Sequence, residues 1–116
     1  MRSDAEPLPP CRILIVDDAD EARSILAIAM GTIPGACVRV AEGAESALRQ
    51  LTAEAVDVLL TDVSMSGMDG FELLRTLRDR GQWPLHGAVV ITGEPDPDLP
   101  RRASESGAAA FFKKPF

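Results

Sequence analysis

The sequence is poor in aromatic residues and in thiols. Aromatic residues make up 4% of the 116 residues and tyrosine is absent, so the core must consist mainly of aliphatic side chains. The two cysteines, Cys11 and Cys37, lie in apolar stretches without the spacing of metal ligands, which argues against a thiolate zinc site. We expect both to be reduced core residues, as cytoplasmic thiols usually are.

Long apolar runs and basic clusters are missing as well. No stretch approaches the roughly 20 apolar residues of a membrane-spanning helix, and the first residues lack the pattern of a signal peptide. The net charge is −6 without any basic run, which argues against nucleic acid as a direct ligand. We therefore expect a cytoplasmic protein that binds neither a membrane nor nucleic acid.

Apolar patterns of strand and helix type alternate along the chain. Residues 1–10 are polar and rich in proline, which is typical of a flexible leader, and residues 11–116 have the length of one domain. Hydrophobic periodicity predicts five strands and four helices. The strands are predicted at 11–16, 36–41, 57–61, 87–92 and 109–114, and the helices at 19–30, 43–54, 70–81 and 98–107.

This alternation predicts an α/β fold with a parallel sheet. Strands 1, 3 and 4 are almost continuously apolar and should be central, whereas strands 2 and 5 contain Arg39 and Lys113 and suit the edges. The expected strand order is 2-1-3-4-5, the doubly wound arrangement of flavodoxin-like folds. We expect Asp98 to cap the helix at 98–107. On the helix at 19–30, spacings of three and four place Ala22, Ile25, Leu26, Ala29 and Met30 on one face.

Polar residues follow the carboxyl ends of four strands, where ligands bind in sheets of this kind. They are Asp17 and Asp18 after strand 1, Asp62 after strand 3, Thr92 after strand 4 and Lys114 after strand 5. Each alone has an ordinary interpretation as a helix cap, a strand-end hydroxyl or a solvated charge. Their convergence on one edge of the sheet favours a functional site.

Three neighbouring carboxylates raise each other's pKa, and a divalent cation removes that conflict. Oxygen ligands and an incomplete protein shell suit Mg²⁺, which keeps several waters and shares phosphate oxygens. A carboxylate beside Mg²⁺, with a hydroxyl and an ammonium nearby, is arranged to attack a phosphoryl donor. The product would be an aspartyl phosphate.

These residues resemble the receiver (CheY-like) domain of bacterial two-component response regulators. The spacing between the strand-end residues fits that family, and the resemblance covers nearly all of the chain after residue 10. The segments that carry it are "ILIVDD" at 13–18, "LLTDVSMSGMDGFELL" at 59–74, "VVITG" at 89–93 and "GAAAFFKKPF" at 107–116.

The resemblance implies a role for each residue of the site. Asp62 is the phosphoacceptor. Mg²⁺ is bound by Asp17 through water, by Asp18 and Asp62, and by the backbone carbonyl of Ser64.

Four more positions follow from the same resemblance. Thr92 bonds the phosphoryl group and Lys114 pairs with it, while Gly93 keeps the approach to Asp62 open. Phe111 occupies the position of an aromatic switch that turns inward when Thr92 moves. The Lys114–Pro115 bond is expected to be cis, which is common only before proline.

The implied function is that of a phosphorylation-driven switch. A sensor histidine kinase or phosphotransfer protein donates the phosphoryl group, and the domain signals through a changed protein-binding surface. It catalyses its own phosphorylation and dephosphorylation and is not expected to turn over an external substrate. Neither the downstream target nor a linked output domain is identified by the resemblance.

The sequence departs from the family at three places. Ser66 stands where the family usually has proline, which puts the phosphorylation rate and Mg²⁺ affinity in question. Glu94 begins an acidic loop and either affects autodephosphorylation or belongs to a solvated surface. The family's fifth helix is absent after Phe116, so we expect a chain cut before that helix or an apolar surface covered by a partner, such as a second copy.

Three alternative functions have different sequence requirements. A degenerate receiver would act as a protein-binding module independent of phosphorylation. A phosphatase of the haloacid dehalogenase type would need a second aspartate where Ser64 stands, and a flavin carrier would need a phosphate-binding loop where Asp17 and Asp18 stand.

Overall fold

The computed structural model describes residues 10–94 and 96–114. All nine predicted elements are present, with ends within two residues of the expected ones. Within the described ranges, no helix is long and apolar enough to cross a bilayer. In chain order the elements are β1 (Cys11–Val16), α1 (Asp20–Gly31), β2 (Ala36–Ala41), α2 (Ala44–Ala53), β3 (Val58–Asp62), α3 (Gly70–Asp79), β4 (Gly87–Thr92), α4 (Leu99–Ser106) and β5 (Ala110–Lys113).

The five strands form one parallel sheet in the order β2-β1-β3-β4-β5, as predicted. The fold is therefore flavodoxin-like and doubly wound. Since β1 and β3 are neighbours and β4 lies beside β3, the carboxyl ends of these three strands meet at the middle of one sheet edge.

One face of the sheet is covered by α2, α3 and α4. Leu14, Leu59 and Val90 of the strands are fully buried there against Leu74 and Leu77 of α3. Fifteen buried apolar residues lie in this cluster and five in the cluster on the other face, so this side supplies the larger part of the core. Each buried leucine contributes about 1.5–3 kcal/mol.

The opposite face is covered by α1 alone in the described part of the chain. Leu26 packs there on the strands, whereas Ile25 and Ala29 of the same predicted face are exposed, Ile25 to 50%. Beside α1 lies an apolar groove of about 550 Å³, lined by Ile25, Met30, Val89 and Phe112 among others. The described residues contain no fifth helix, in agreement with the prediction, and β5 is the last element.

Two further expectations need correction. Cys37 is exposed rather than buried in the core, because β2 is an edge strand; Cys11 is half-buried, and both thiols are free. Asp98 occupies the N-cap position of α4, but its side chain accepts no hydrogen bond from the helix and instead lies 3.6 Å from the guanidinium of Arg101. The predicted leader lies outside the described residues, apart from Pro10.

Candidate functional site

Three carboxylates converge at the carboxyl ends of β1 and β3. The pairing of Val16 with Thr61 aligns the two strand ends, so the residues that follow Val16 come to lie beside Asp62. One oxygen from each of Asp17, Asp18 and Asp62 lies within 4.8 Å of the others. Asp17 and Asp62 are 1% and 7% exposed, whereas Asp18 lies at the surface.

Hydrogen bonds orient two of these carboxylates. The Asp17 carboxylate accepts the backbone N–H of Ala19 at 2.9 Å, and the Asp18 carboxylate accepts that of Ser66 at 3.1 Å. The second bond ties the β1–α1 loop to the β3–α3 loop. Charge-assisted bonds of this type fix the direction in which a carboxylate presents its remaining oxygen.

Lys114 provides the positive charge of the site. It follows β5, and its backbone N–H donates to the Thr92 carbonyl at 2.7 Å. Its ammonium lies 2.6 Å from Asp17 Oδ2 and 3.5 Å from Asp62 Oδ2. Burial lowers the pKa of Lys114, but the hydrogen bond to Asp17 and the two negative charges outweigh burial and raise it overall. The side chain is therefore an ammonium at neutral pH.

The surroundings disfavour negative charge on Asp62. Burial raises the pKa of the Asp62 carboxyl, and the charge of Asp17 raises it further. Lys114 and a hydrogen bond from the Ser64 backbone N–H oppose the rise without cancelling it. A hard divalent cation would satisfy this excess of carboxylate oxygens, so the donor set fits Mg²⁺.

Thr92 ends β4 next to Asp62. It is buried, and its hydroxyl accepts the backbone N–H of Glu94 at 3.1 Å. At Gly93, a Cβ would meet the Lys114 side chain at 3.6 Å, which is an ordinary van der Waals distance, so the packing here does not require glycine.

A cavity of about 770 Å³ opens beside these groups, with Asp18 and Thr92 of the site in its wall. Ser64, Ser66 and Glu94 also line it. The two residues at which the sequence departs from the family pattern thus face the site. The acidic loop that begins at Glu94 is described except for Pro95.

Phe111 lies away from this cavity. It pairs with Val90 in the register of β5 and is 36% exposed, so its ring is on the surface in this structure. The Lys114–Pro115 bond, predicted to be cis, involves a residue outside the described ones.

Sequence reasoning did not detect a guanidinium at the cavity wall. Arg102 of α4 lines the cavity and donates to the Asp96 carboxylate at 3.2 Å. The interval of six residues between the two carries no recognisable signal, because their contact depends on the path of the intervening loop.

Comparison with known proteins agrees with this geometry. The sequence matches the family described as response regulator receiver domain over residues 13–116. It is 39% identical over 103 residues to the transcriptional regulatory protein FixJ of Rhizobium meliloti strain 1021. The aligned region covers 88% of this chain and 48% of FixJ. It is also 34% identical over 104 residues to the DNA-binding transcriptional regulator NtrC of Escherichia coli K12. Here the aligned region covers 90% of this chain and 22% of NtrC.

Among solved structures, the fold superposes on the chemotaxis protein CheY4 of Vibrio cholerae with a TM-score of 0.83 and 27% identity, covering 92% of this chain and 88% of that one. The chain thus spans about a fifth of NtrC and half of FixJ, but most of the CheY4 chain. With the strand order, the converging carboxylates and the family match in agreement, the chain belongs to the CheY-like receiver domains of response regulators.

Proposed function

We propose that the domain accepts a phosphoryl group on Asp62 in a Mg²⁺-dependent reaction and signals through a changed protein-binding surface. The donor is the phosphohistidine of a sensor histidine kinase or a phosphotransfer protein in the cytoplasm. The observation that carries the proposal is the approach of Asp17, Asp18 and Asp62 to within 4.8 Å of one another, with the Lys114 ammonium between Asp17 and Asp62.

The reaction uses one oxygen of the Asp62 carboxylate as the nucleophile. That oxygen forms a new bond to phosphorus, the bond from phosphorus to the donor nitrogen breaks, and the imidazole leaves with the electron pair. Lys114 and the hydroxyl of Thr92 offset the charge on the transferred oxygens. Asp17, Asp18, Asp62 and the Ser64 carbonyl would hold Mg²⁺, which when bound neutralises charge on the carboxylates and the phosphoryl group.

Phosphorylation adds about −1.5 to −2 charges next to Thr92. The Thr92 hydroxyl now accepts the Glu94 N–H at 3.1 Å. If that hydroxyl turns toward a phosphoryl oxygen, its bond with the Glu94 N–H is replaced by a bond to the phosphoryl group, and the β4–α4 loop moves. We infer that the movement favours a second, pre-existing conformation in which Phe111 turns inward.

The domain has no role for an external substrate in this scheme, because the phosphoryl group ends on the protein itself. A receiver that binds partners independently of phosphorylation is the alternative. The presence of all five strand-end residues, with the carboxylates and the lysine in contact, favours the phosphorylated switch.

Acetyl phosphate treatment with and without Mg²⁺, followed by intact-mass measurement, tests the proposal. We expect one Mg²⁺-dependent phosphoryl group, which is absent from Asp62→Asn. Circular dichroism shows whether both proteins are folded. A folded wild-type protein that gains no mass would favour the binding-module alternative.

A further inference from the structure

The cavity beside Asp62 has a strongly acidic wall. Among the described residues that line it, Arg102 is the only basic one. Five carboxylates share that wall: Asp18, Asp69, Glu72, Glu94 and Asp96. An anion in this cavity is therefore surrounded by more negative than positive charge.

Arg102 is held in place from two sides. Its guanidinium donates to Asp96 Oδ2 at 3.2 Å and lies 4.4 Å from the centroid of the Phe71 ring. Phe71 is buried in the first turn of α3, so the ring is a fixed platform. A charge-assisted hydrogen bond and a cation–π contact together keep the guanidinium at the cavity wall. Its side chain is 40% exposed and accessible to solutes.

Phosphoryl donors are anions, so the charge of the wall affects how often they reach the acceptor. A cleft lined by one sign of charge repels ions of that sign, and the effect on association rates weakens as salt increases. Replacing Arg102 by a neutral residue removes the positive charge and leaves Asp96 uncompensated. Both changes make the cavity more repulsive to a donor.

We propose that Arg102 determines how fast small anionic phosphodonors gain access to Asp62. The proposal rests on the proposed function, because it concerns the same acceptor. With acetyl phosphate, an Asp62 oxygen forms the new bond to phosphorus, the bond from phosphorus to the acetyl oxygen breaks, and acetate leaves with the electron pair. Arg102 takes no part in those bonds; it acts on the approach of the donor.

Arg101 offers a matched control on the same helix. It pairs with Asp98 at 3.6 Å and with Glu105 at 3.0 Å, and it does not line the cavity. Arg102→Ala and Arg101→Ala change the net charge equally. The second-order rate constant for phosphorylation by acetyl phosphate, measured with Mg²⁺ at low salt, is expected to fall about fivefold in Arg102→Ala and to stay within about 1.5-fold in Arg101→Ala.

Two further measurements separate an effect of charge from a merely structural one. Raising the salt to about 0.5 M shortens the screening length to a few ångströms, and the deficit of Arg102→Ala should shrink to about twofold. Asp96→Asn removes a negative charge from the wall and should raise the rate. If Arg102 only supported the loop, breaking the pair from either side would slow the reaction equally, independently of salt.

The outcomes distinguish this inference from the proposed function. A folded wild-type protein that takes up no phosphoryl group overturns both. A phosphorylated wild type, with equal rates in Arg102→Ala and Arg101→Ala, overturns the role of Arg102 alone. Should Arg102→Ala not fold, Asp96→Asn and Arg102→Lys decide: a slower Asp96→Asn contradicts the proposal, while a faster one, with Arg102→Lys near the wild-type rate, supports it.

Discussion

Gly70 packs directly on the backbone of Asp62. A methyl group on Gly70 would lie 3.0 Å from the carbonyl carbon of Asp62 and 3.1 Å from Cα of Val63, closer than side chains normally approach backbone. The Gly70 N–H donates to the Val63 carbonyl at 2.8 Å, and Asp69 caps α3 by accepting the Glu72 N–H at 2.8 Å. The start of α3 is thereby fixed against the strand end that carries Asp62, the proposed phosphoacceptor.

Gly70→Ala should therefore destabilise the domain and displace Asp62. We expect a loss of about 2–3 kcal/mol in the free energy of unfolding, since the added methyl meets rigid backbone. Gly31→Ala is the control: Gly31 ends α1 with no atom within 4 Å of its Cβ position, and its change should stay within about 0.5 kcal/mol. Urea unfolding measures both, and equal midpoints would contradict the packing argument.

The sequence predicted the elements and the site for a physical reason. Each strand and helix has its own hydrophobic period, and Asp62, Thr92 and Lys114 all stand where a strand ends, so the strand order alone places them together. Contacts that depend on loops were not predictable in this way. The approach of Gly70 to Asp62 and the pairing of Arg102 with Asp96 follow from chain paths that carry no periodic signal.

The differences between predicted and observed burial of side chains have another origin. Periodicity shows which side of an element is apolar, but not whether another element covers that side. Ile25 lies on the predicted apolar face of α1 and is nevertheless 50% exposed, because α1 has no neighbouring helix in the described residues. Cys37 was expected in the core and is exposed, because β2 is an edge strand.

Asp62→Asn should stabilise the protein in the absence of divalent cations. The pKa of Asp62 is raised above the ordinary value of 3.8 by burial and by the charge of Asp17, so ionisation costs stability in the folded state. That cost is absent below the unfolded pKa and grows as the pH rises through the folded pKa. We expect a gain of about 1 kcal/mol at pH 7, or roughly 4 °C in Tm, which disappears near pH 4.

The control for this experiment is Asp79→Asn, which removes an exposed carboxylate from α3. It should leave Tm unchanged within error. Adding Mg²⁺ should raise the Tm of the wild type more than that of Asp62→Asn, because the variant replaces the proposed carboxylate ligand by a neutral amide. A wild-type Tm that does not respond to Mg²⁺ would speak against the metal site.

Ser66→Pro should weaken Mg²⁺ binding, whereas Ser66→Ala should not. The Ser66 N–H donates to the Asp18 carboxylate at 3.1 Å, and proline has no N–H to donate. The bond is near the surface, so we expect a loss of about threefold in affinity, measured by isothermal titration calorimetry. Ser66→Ala keeps the N–H and removes only the hydroxyl. If Mg²⁺ binds more weakly to both variants, the hydroxyl that both of them lack is responsible, and the N–H is not.

Asp57 should make stability depend on acid pH. Its carboxylate, at the opposite end of the sheet, accepts the Arg12 N–H at 2.7 Å and lies 3.8 Å from His86 Nε2. The Arg12 hydrogen bond lowers the pKa of Asp57 below 3.8, although burial opposes the shift. The stabilisation is therefore complete above the unfolded pKa and is lost as the pH falls through the folded pKa.

Asp57→Ala should accordingly lower Tm at pH 7 and lose much of this effect near pH 3. His86→Gln tests the contribution of the imidazole, whose side chain is 74% exposed, and should change Tm little at either pH. Thermal unfolding followed by circular dichroism at the two pH values measures these differences. If Asp57→Ala lowers Tm equally at both pH values, the charge of Asp57 is not the source of the stabilisation.

The groove beside α1 should cause this chain to associate with itself in solution. Ile25 and Phe112, which line the groove, are 50% and 55% exposed, and apolar surface of this kind drives association in water. Replacing both by serine should weaken association by about tenfold, or ~1.4 kcal/mol. Leu85→Ser is the control, because Leu85 is 61% exposed but lies outside the groove. Sedimentation velocity over a range of concentrations measures the association, and a wild-type chain that stays monomeric throughout would show that the groove drives no self-association.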